Sequence, residues 1–121
     1  MIEDFVSYDQ AIKLKKLGFN IDCDYMYSED KELYKYDYTA KYYDTQSLNN
    51  DVPAPTLAQA QKWLRKEKEY SIEPTSISKN LWICTLTIFN KSTSLDIKTN
   101  YSSYEEALSS GITKCIKLLE N

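Results

Sequence analysis

One short motif occurs three times and constrains the fold more than any other feature. It reads SYDQA at Ser7–Ala11, TLAQA at Thr56–Ala60 and SYEEA at Ser103–Ala107. Each is a capping box. The Ser or Thr hydroxyl accepts a hydrogen bond from the backbone N–H three residues on, and the Gln or Glu side chain reaches back to the cap's own N–H. Each motif therefore marks the start of a helix. Because the flanking sequences differ, the motif is a repeated solution to helix initiation and not a sign of duplication.

The first helix is predicted from about Tyr8 to Leu17, with Ala11, Leu14 and Leu17 on one face and Lys13, Lys15 and Lys16 outward. Gly18 supplies a left-handed stop, and Phe19 folds back on Leu14. Val6 is placed to staple against Ala11. The second helix follows VPAPT, where Pro53 and Pro55 keep the approach extended. It carries an apolar stripe of Leu57, Ala60, Trp63 and Leu64, with Lys62, Arg65, Lys66 and Lys68 on the remaining surface. The third helix begins after Ser103. Tyr104, Ala107, Leu108, Gly111, Ile112, Cys115, Leu118 and Leu119 fall in one arc of it. Trp63 is expected to be largely buried and Trp82 at least partly so.

The intervening segments read as strands. LWICTLTIF (81–89) is β-branched and aromatic, and apolar on both faces for part of its length, which places it centrally in a sheet. SLDIKT (94–99) alternates, with Leu95 and Ile97 inward and Asp96 and Lys98 outward, and NKST forms the turn between the two. YSIEPTSI (70–77) carries Pro74, which lacks a donor and belongs at an edge. CDYMY and LYKYDY alternate with a period of two around the polar SEDKE. That pattern predicts a hairpin with Cys23, Tyr25 and Tyr27 on one strand facing Tyr34, Tyr36 and Tyr38 on the other, where cross-strand aromatic pairs contribute roughly 0.2–1 kcal/mol each. Tyr42 and Tyr43 break the alternation. They open a stretch through TQSLNNDVPAP that reads as a loop, of a length uncommon unless functional or mobile.

Helices alternating with hairpins, without a βαβ rhythm, predict an α+β domain spanning residues 1–121. Its three helices would pack on one face of a small, mostly antiparallel sheet. The chain has 121 residues, which suits one core, and its 42% hydrophobic and 27% charged content argues against disorder. A net charge of −3 sets it against the electrostatics of duplex-DNA binding. No apolar run approaches membrane-spanning length. MIEDFVSYDQ has neither the basic region nor the apolar core of a secretory signal, so a cytoplasmic setting is expected. Cys23, Cys84 and Cys115 are odd in number and widely spaced, as befits reduced, partly buried thiols.

Much common chemistry is missing. The chain has no histidine, so it lacks the usual general base and the commonest zinc ligand. Its two glycines, Gly18 and Gly111, allow no phosphate-binding loop. No catalytic residues, metal ligands or cofactor are expected, and the chain reads as non-enzymatic. Two binding functions remain. One is association with a protein partner, self-association included, because tyrosine and tryptophan favour interface centres. The other is binding of nucleotides or single-stranded nucleic acid, as in sequestering a host signalling nucleotide. There tyrosines stack on bases and Lys62, Arg65 and Lys66 take phosphates. Tyr42, Tyr43, Lys62, Arg65 and Lys66 are the candidate binding residues.

EDFVSYDQAIKLKKLGF, APTLAQAQKWLRKE and YSSYEEALSSGITKCIKLLE together resemble a family of small proteins of uncharacterised activity from gut Bacteroidetes, their phages and mobile elements. That family shows F-V-S/T-Y-x-x-A with a following L-G-F, then A-P-x-x-x-Q-A-x-x-W, then S/T-Y-E-E-A. These map onto Phe5–Ala11 with Leu17–Phe19, Ala54–Trp63, and Ser103–Ala107. The resemblance implies a phage or mobile-element setting and a cytoplasmic location. It implies no activity. The chain departs from the pattern in its tyrosine block and its longer 42–53 loop.

Overall fold

A computed structural model describes residues 4–36 and 50–120, apart from the side chains of residues 98 and 99. The chain divides into two compact units, 1–56 and 57–121. The α+β architecture expected from the sequence is what the structure shows. Among the described residues it has three α-helices, and its strands divide between two antiparallel three-stranded sheets.

In the first unit, helix α1 spans Tyr8–Lys16. Both halves of its capping box are present. Gln10 N–H donates to Ser7 Oγ at 3.1 Å, and Ser7 N–H donates to Gln10 Oε1 at 2.8 Å. At the other end Gly18 adopts φ 105°, a conformation that favours glycine. Its N–H bonds to the Lys15 carbonyl while Phe19 N–H bonds to the Leu14 carbonyl, each at 3.0 Å, which is the Schellman pattern. Val6, Ala11, Leu14 and Phe19 are all buried.

Strands β1 (Tyr25–Tyr27) and β2 (Leu33–Lys35) form the expected hairpin in an unexpected register. Ser28 N–H bonds to the Glu32 carbonyl and Lys31 N–H to the Ser28 carbonyl, with Lys31 left-handed at φ 67°. The loop thus holds the three residues Glu29–Lys31 and sets Tyr25 opposite Lys35, Met26 opposite Tyr34 and Tyr27 opposite Leu33. Opposed tyrosine rows would need a loop one residue longer or shorter. With this one, the Tyr25 and Tyr27 row lies on the opposite face from Tyr34.

The tyrosines of β1 find other partners. The Tyr25 ring lies 4.8 Å from that of Phe5, and the Tyr27 ring meets Tyr8 edge-on at 5.7 Å. The Tyr27 hydroxyl donates to the Val6 carbonyl at 2.6 Å. Tyr38 lies outside the described residues. Val52–Pro53, read from sequence as the end of a loop, is instead strand β3, paired on the free side of β1 in the order β2-β1-β3.

The second unit opens with α2 (Leu57–Lys68), starting directly after Thr56. All four residues of its predicted stripe are buried, Leu64 completely. Strands β4 (Tyr70–Ser78), β5 (Leu81–Ile88) and β6 (Thr93–Tyr101) follow, with β5 central and the proline-bearing β4 at an edge, as expected. Along β5, Cys84, Leu86 and Ile88 are buried and Thr85 and Thr87 are half-exposed. The hydroxyls on the second face pair across the sheet, Thr85 with Asp96 at 2.9 Å and Thr87 with Ser94 at 3.2 Å. The β5–β6 turn begins one residue before NKST, as a 3-10 turn over Phe89–Lys91 closed by a left-handed Ser92.

Leu95 and Ile97 stand opposite Leu86 and Cys84, on the core face as predicted. Leu95 nonetheless remains 37% exposed, on a strand that is at the edge of this sheet among the described residues. Trp63 is buried, while Trp82 is half-buried and meets the Tyr104 ring edge-on at 5.6 Å.

Helix α3 spans Tyr104–Leu119 and packs on this sheet. Its apolar arc is shifted from the predicted one. Ile116 is buried, whereas Leu118 and Leu119 are half-exposed and Tyr104 is 38% exposed. The cap also differs in one half. Ser103 Oγ accepts from Glu106 N–H at 3.1 Å, but the Glu106 carboxylate accepts from the backbone and hydroxyl of Ser102, not from the N–H of Ser103. Those bonds hold the Glu106 carboxyl below the usual carboxylate range.

Candidate functional site

The first unit holds a concavity. It is an open cleft of about 410 Å³. Its floor and walls come from Lys15 near the end of α1, the loop Phe19–Cys23 beyond the Schellman turn, Met26 and Pro53 of the sheet, and Tyr36 and Asp51, which flank β2 and β3. The helix stop creates it. With Phe19 turned back into the core, the chain must run over the surface before β1 begins, and Ile21 is left 49% exposed on the rim. The pairing of β1 with β3 contributes as well, because it puts Met26 opposite Pro53, and both line the cleft.

Polar side chains in the lining are those of Lys15, Asn20, Asp22, Tyr36 and Asp51. Asp51 is buried, 8% exposed, and accepts a hydrogen bond from the Tyr34 hydroxyl. Burial pushes that hydroxyl up to about 12, helped by the hydrogen bond to Asp51 and the carboxylate's charge. Cys23 is also buried, and burial with the charges of Asp22 and Asp24 pushes its thiol up to about 11. A protonated thiol among carboxylates is a poor nucleophile, since the thiolate is the reactive form. Its sulfur lies 3.5 Å from the Ile21 carbonyl, to which it donates. This arrangement can hold an apolar group beside a positive charge. It offers no activated nucleophile.

The residues singled out from sequence lie elsewhere. Lys62, Arg65 and Lys66 are exposed on α2, opposite its buried stripe. Lys68 places its ammonium 5.5 Å from the centre of the Trp63 ring, a cation–π contact that also shields the indole. Tyr42 and Tyr43 lie outside the described residues. The cleft was not legible beforehand: Cys23, Met26 and Tyr36 belong to the alternating segments and Phe19 to the helix stop, but nothing in those local patterns brings them together with Lys15 and Asp51. Among the described residues no group of three or more Cys, Asp or Glu is placed to hold a metal ion, and no helix is long and apolar enough to cross a membrane. No protein family, curated protein or solved structure matches the chain.

Proposed function

We propose that this chain is a non-enzymatic accessory protein, phage- or mobile-element-linked, that acts in the cytoplasm by binding another protein through the cleft of its first unit. The setting rests on the sequence resemblance alone. The binding reading is supported by one observation above the rest: an open cleft lined by Phe19, Met26 and Pro53 with Ile21 half-exposed at its rim. Apolar side chains around a concavity with a few placed polar groups are the usual make-up of a recognition site. The carboxylates of Asp22 and Asp51 work against a phosphate there, so a nucleotide would have to use the exposed Lys62, Arg65 and Lys66 instead.

Selection of a random-peptide display library on the folded chain tests the reading. Enriched peptides are expected to lose binding to an Ile21→Glu variant that keeps the native melting temperature. Peptides that bind both forms equally, or no enrichment at all, would refute the cleft as the site. The absorbance ratio and mass spectrum of the purified protein decide the nucleotide alternative, which a co-purified nucleotide would favour.

A further inference from the structure

We infer that the occupant of the cleft is a partner-protein segment in which an apolar side chain is flanked by lysine or arginine. This rests on the protein-binding reading above and adds the partner's chemistry. The apolar requirement comes from Phe19, Met26 and Pro53 with the exposed Ile21. The charge requirement comes from the balance of the lining, where the carboxylates of Asp22 and Asp51 outnumber the single ammonium of Lys15.

Asp24, exposed beside Cys23, adds a further negative charge at the margin. Asp22 and Asp24 both raise the Cys23 thiol, and Asp51 raises the Tyr34 hydroxyl. Asp51 is already engaged by Tyr34, so its carboxylate is held in place and acts mainly through its charge. Asp22 is exposed and free to meet a cation directly. A cleft open on one side accommodates a continuous chain with one side chain inserted, and complementary charge then sets which sequences enter.

The test uses short capped peptides that share a central leucine pair and differ only in their flanking residues: lysine, glutamine or glutamate. Each is titrated into the full chain and followed by amide shifts. The lysine-flanked peptide is expected to shift Ile21, Cys23 and Met26 and to bind roughly five- to tenfold tighter than the glutamate-flanked one. Its advantage should shrink as salt is raised. Asp22→Asn, an exposed change that leaves packing alone, is expected to remove most of that advantage, and Lys15→Gln to enlarge it.

Equal binding of the three peptides, a preference for glutamate, or an Asp22→Asn variant that discriminates as strongly as the native chain would overturn the inference. The two readings fail separately. If display-selected peptides depend on Ile21 but show no enrichment in lysine or arginine, protein binding stands and the charge requirement falls. If no Ile21-dependent peptide emerges, both fall.

Discussion

Position 111 shows how little room one residue can have. A Cβ built on Gly111 would lie 2.5 Å from Cys84 Sγ and 2.5 Å from Ile72 Cγ2, both buried side chains of the sheet beneath α3. Ordinarily glycine inside a helix costs stability relative to alanine, by roughly 0.5–1 kcal/mol. Here the close approach of helix to sheet reverses the sign. Gly111→Ala is expected to destabilise the fold by about 1–3 kcal/mol, the usual cost of overpacking a core. A urea midpoint that rises would show that the neighbours yield and that helix propensity wins. From sequence Gly111 was legible as lying on the apolar arc, but the reason for a glycine there was not, because it depends on which sheet residues sit opposite. Tyr34 illustrates the same limit. Its ring was assigned to a cross-strand tyrosine cluster, yet its hydroxyl serves Asp51, a residue seventeen positions away in sequence.

At the scale of elements, what could be read and what could not divide by the range of the interactions involved. Helix starts were legible because a capping box is a contact over three residues, complete within the motif. Ser7 and Gln10 realise it in full. Strand positions were legible from alternation, and the edge place of β4 from Pro74. Register was not, since it depends on the parity of a turn whose left-handed residue is a lysine and not the glycine or asparagine that would have announced it. Strand β3 was missed because Val52–Pro53 is too short to show a period. The caps give the prediction for this scale. Ser7→Ala removes the acceptor for Gln10 N–H and keeps the bond from its own backbone N–H to Gln10 Oε1, and Ser103→Ala likewise removes the acceptor for Glu106 N–H and leaves the Glu106–Ser102 bonds in place. Each should cost about 0.5–2 kcal/mol, with Ser7→Ala the larger because its cap bond is partly buried and that of Ser103 is exposed. Equal midpoints for the two variants in denaturant titrations would mean that the partial burial of the Ser7 cap adds nothing measurable.

For the whole molecule, the α+β class was legible because it follows from element types, whereas the cleft was not, because its lining is gathered from separate segments by tertiary structure. The cysteines belong to this scale too, since their burial couples the stability of the whole chain to alkaline pH. Cys84 and Cys115 are completely buried and Cys23 nearly so. Burial pushes Cys84 and Cys23 up to about 11 and Cys115 up to about 12, from an ordinary 9.0. Between pH 9 and 11 the unfolded chain has therefore released thiol protons that the native chain still holds. Stability depends on pH through the difference in protons bound, so with fewer on the unfolded side it falls as pH rises through that window. Below it these groups add no pH dependence, and the loss slows once the native thiols themselves ionise. The Tyr34 hydroxyl, raised to about 12 from 10.0, acts in the same direction at a higher pH. The urea midpoint is accordingly expected to decline steadily from pH 9 to pH 11. Replacing Cys115 by alanine should lower the midpoint at neutral pH, through the cavity left in the core, and yet flatten the alkaline decline. Thiol titration with a disulfide reagent at pH 8 gives a second reading of the same burial: slow reaction in the native state and full reaction of all three cysteines in denaturant. A native chain whose thiols react at the free rate, together with a midpoint that stays level across the alkaline window, would show that these cysteines are not held in the core.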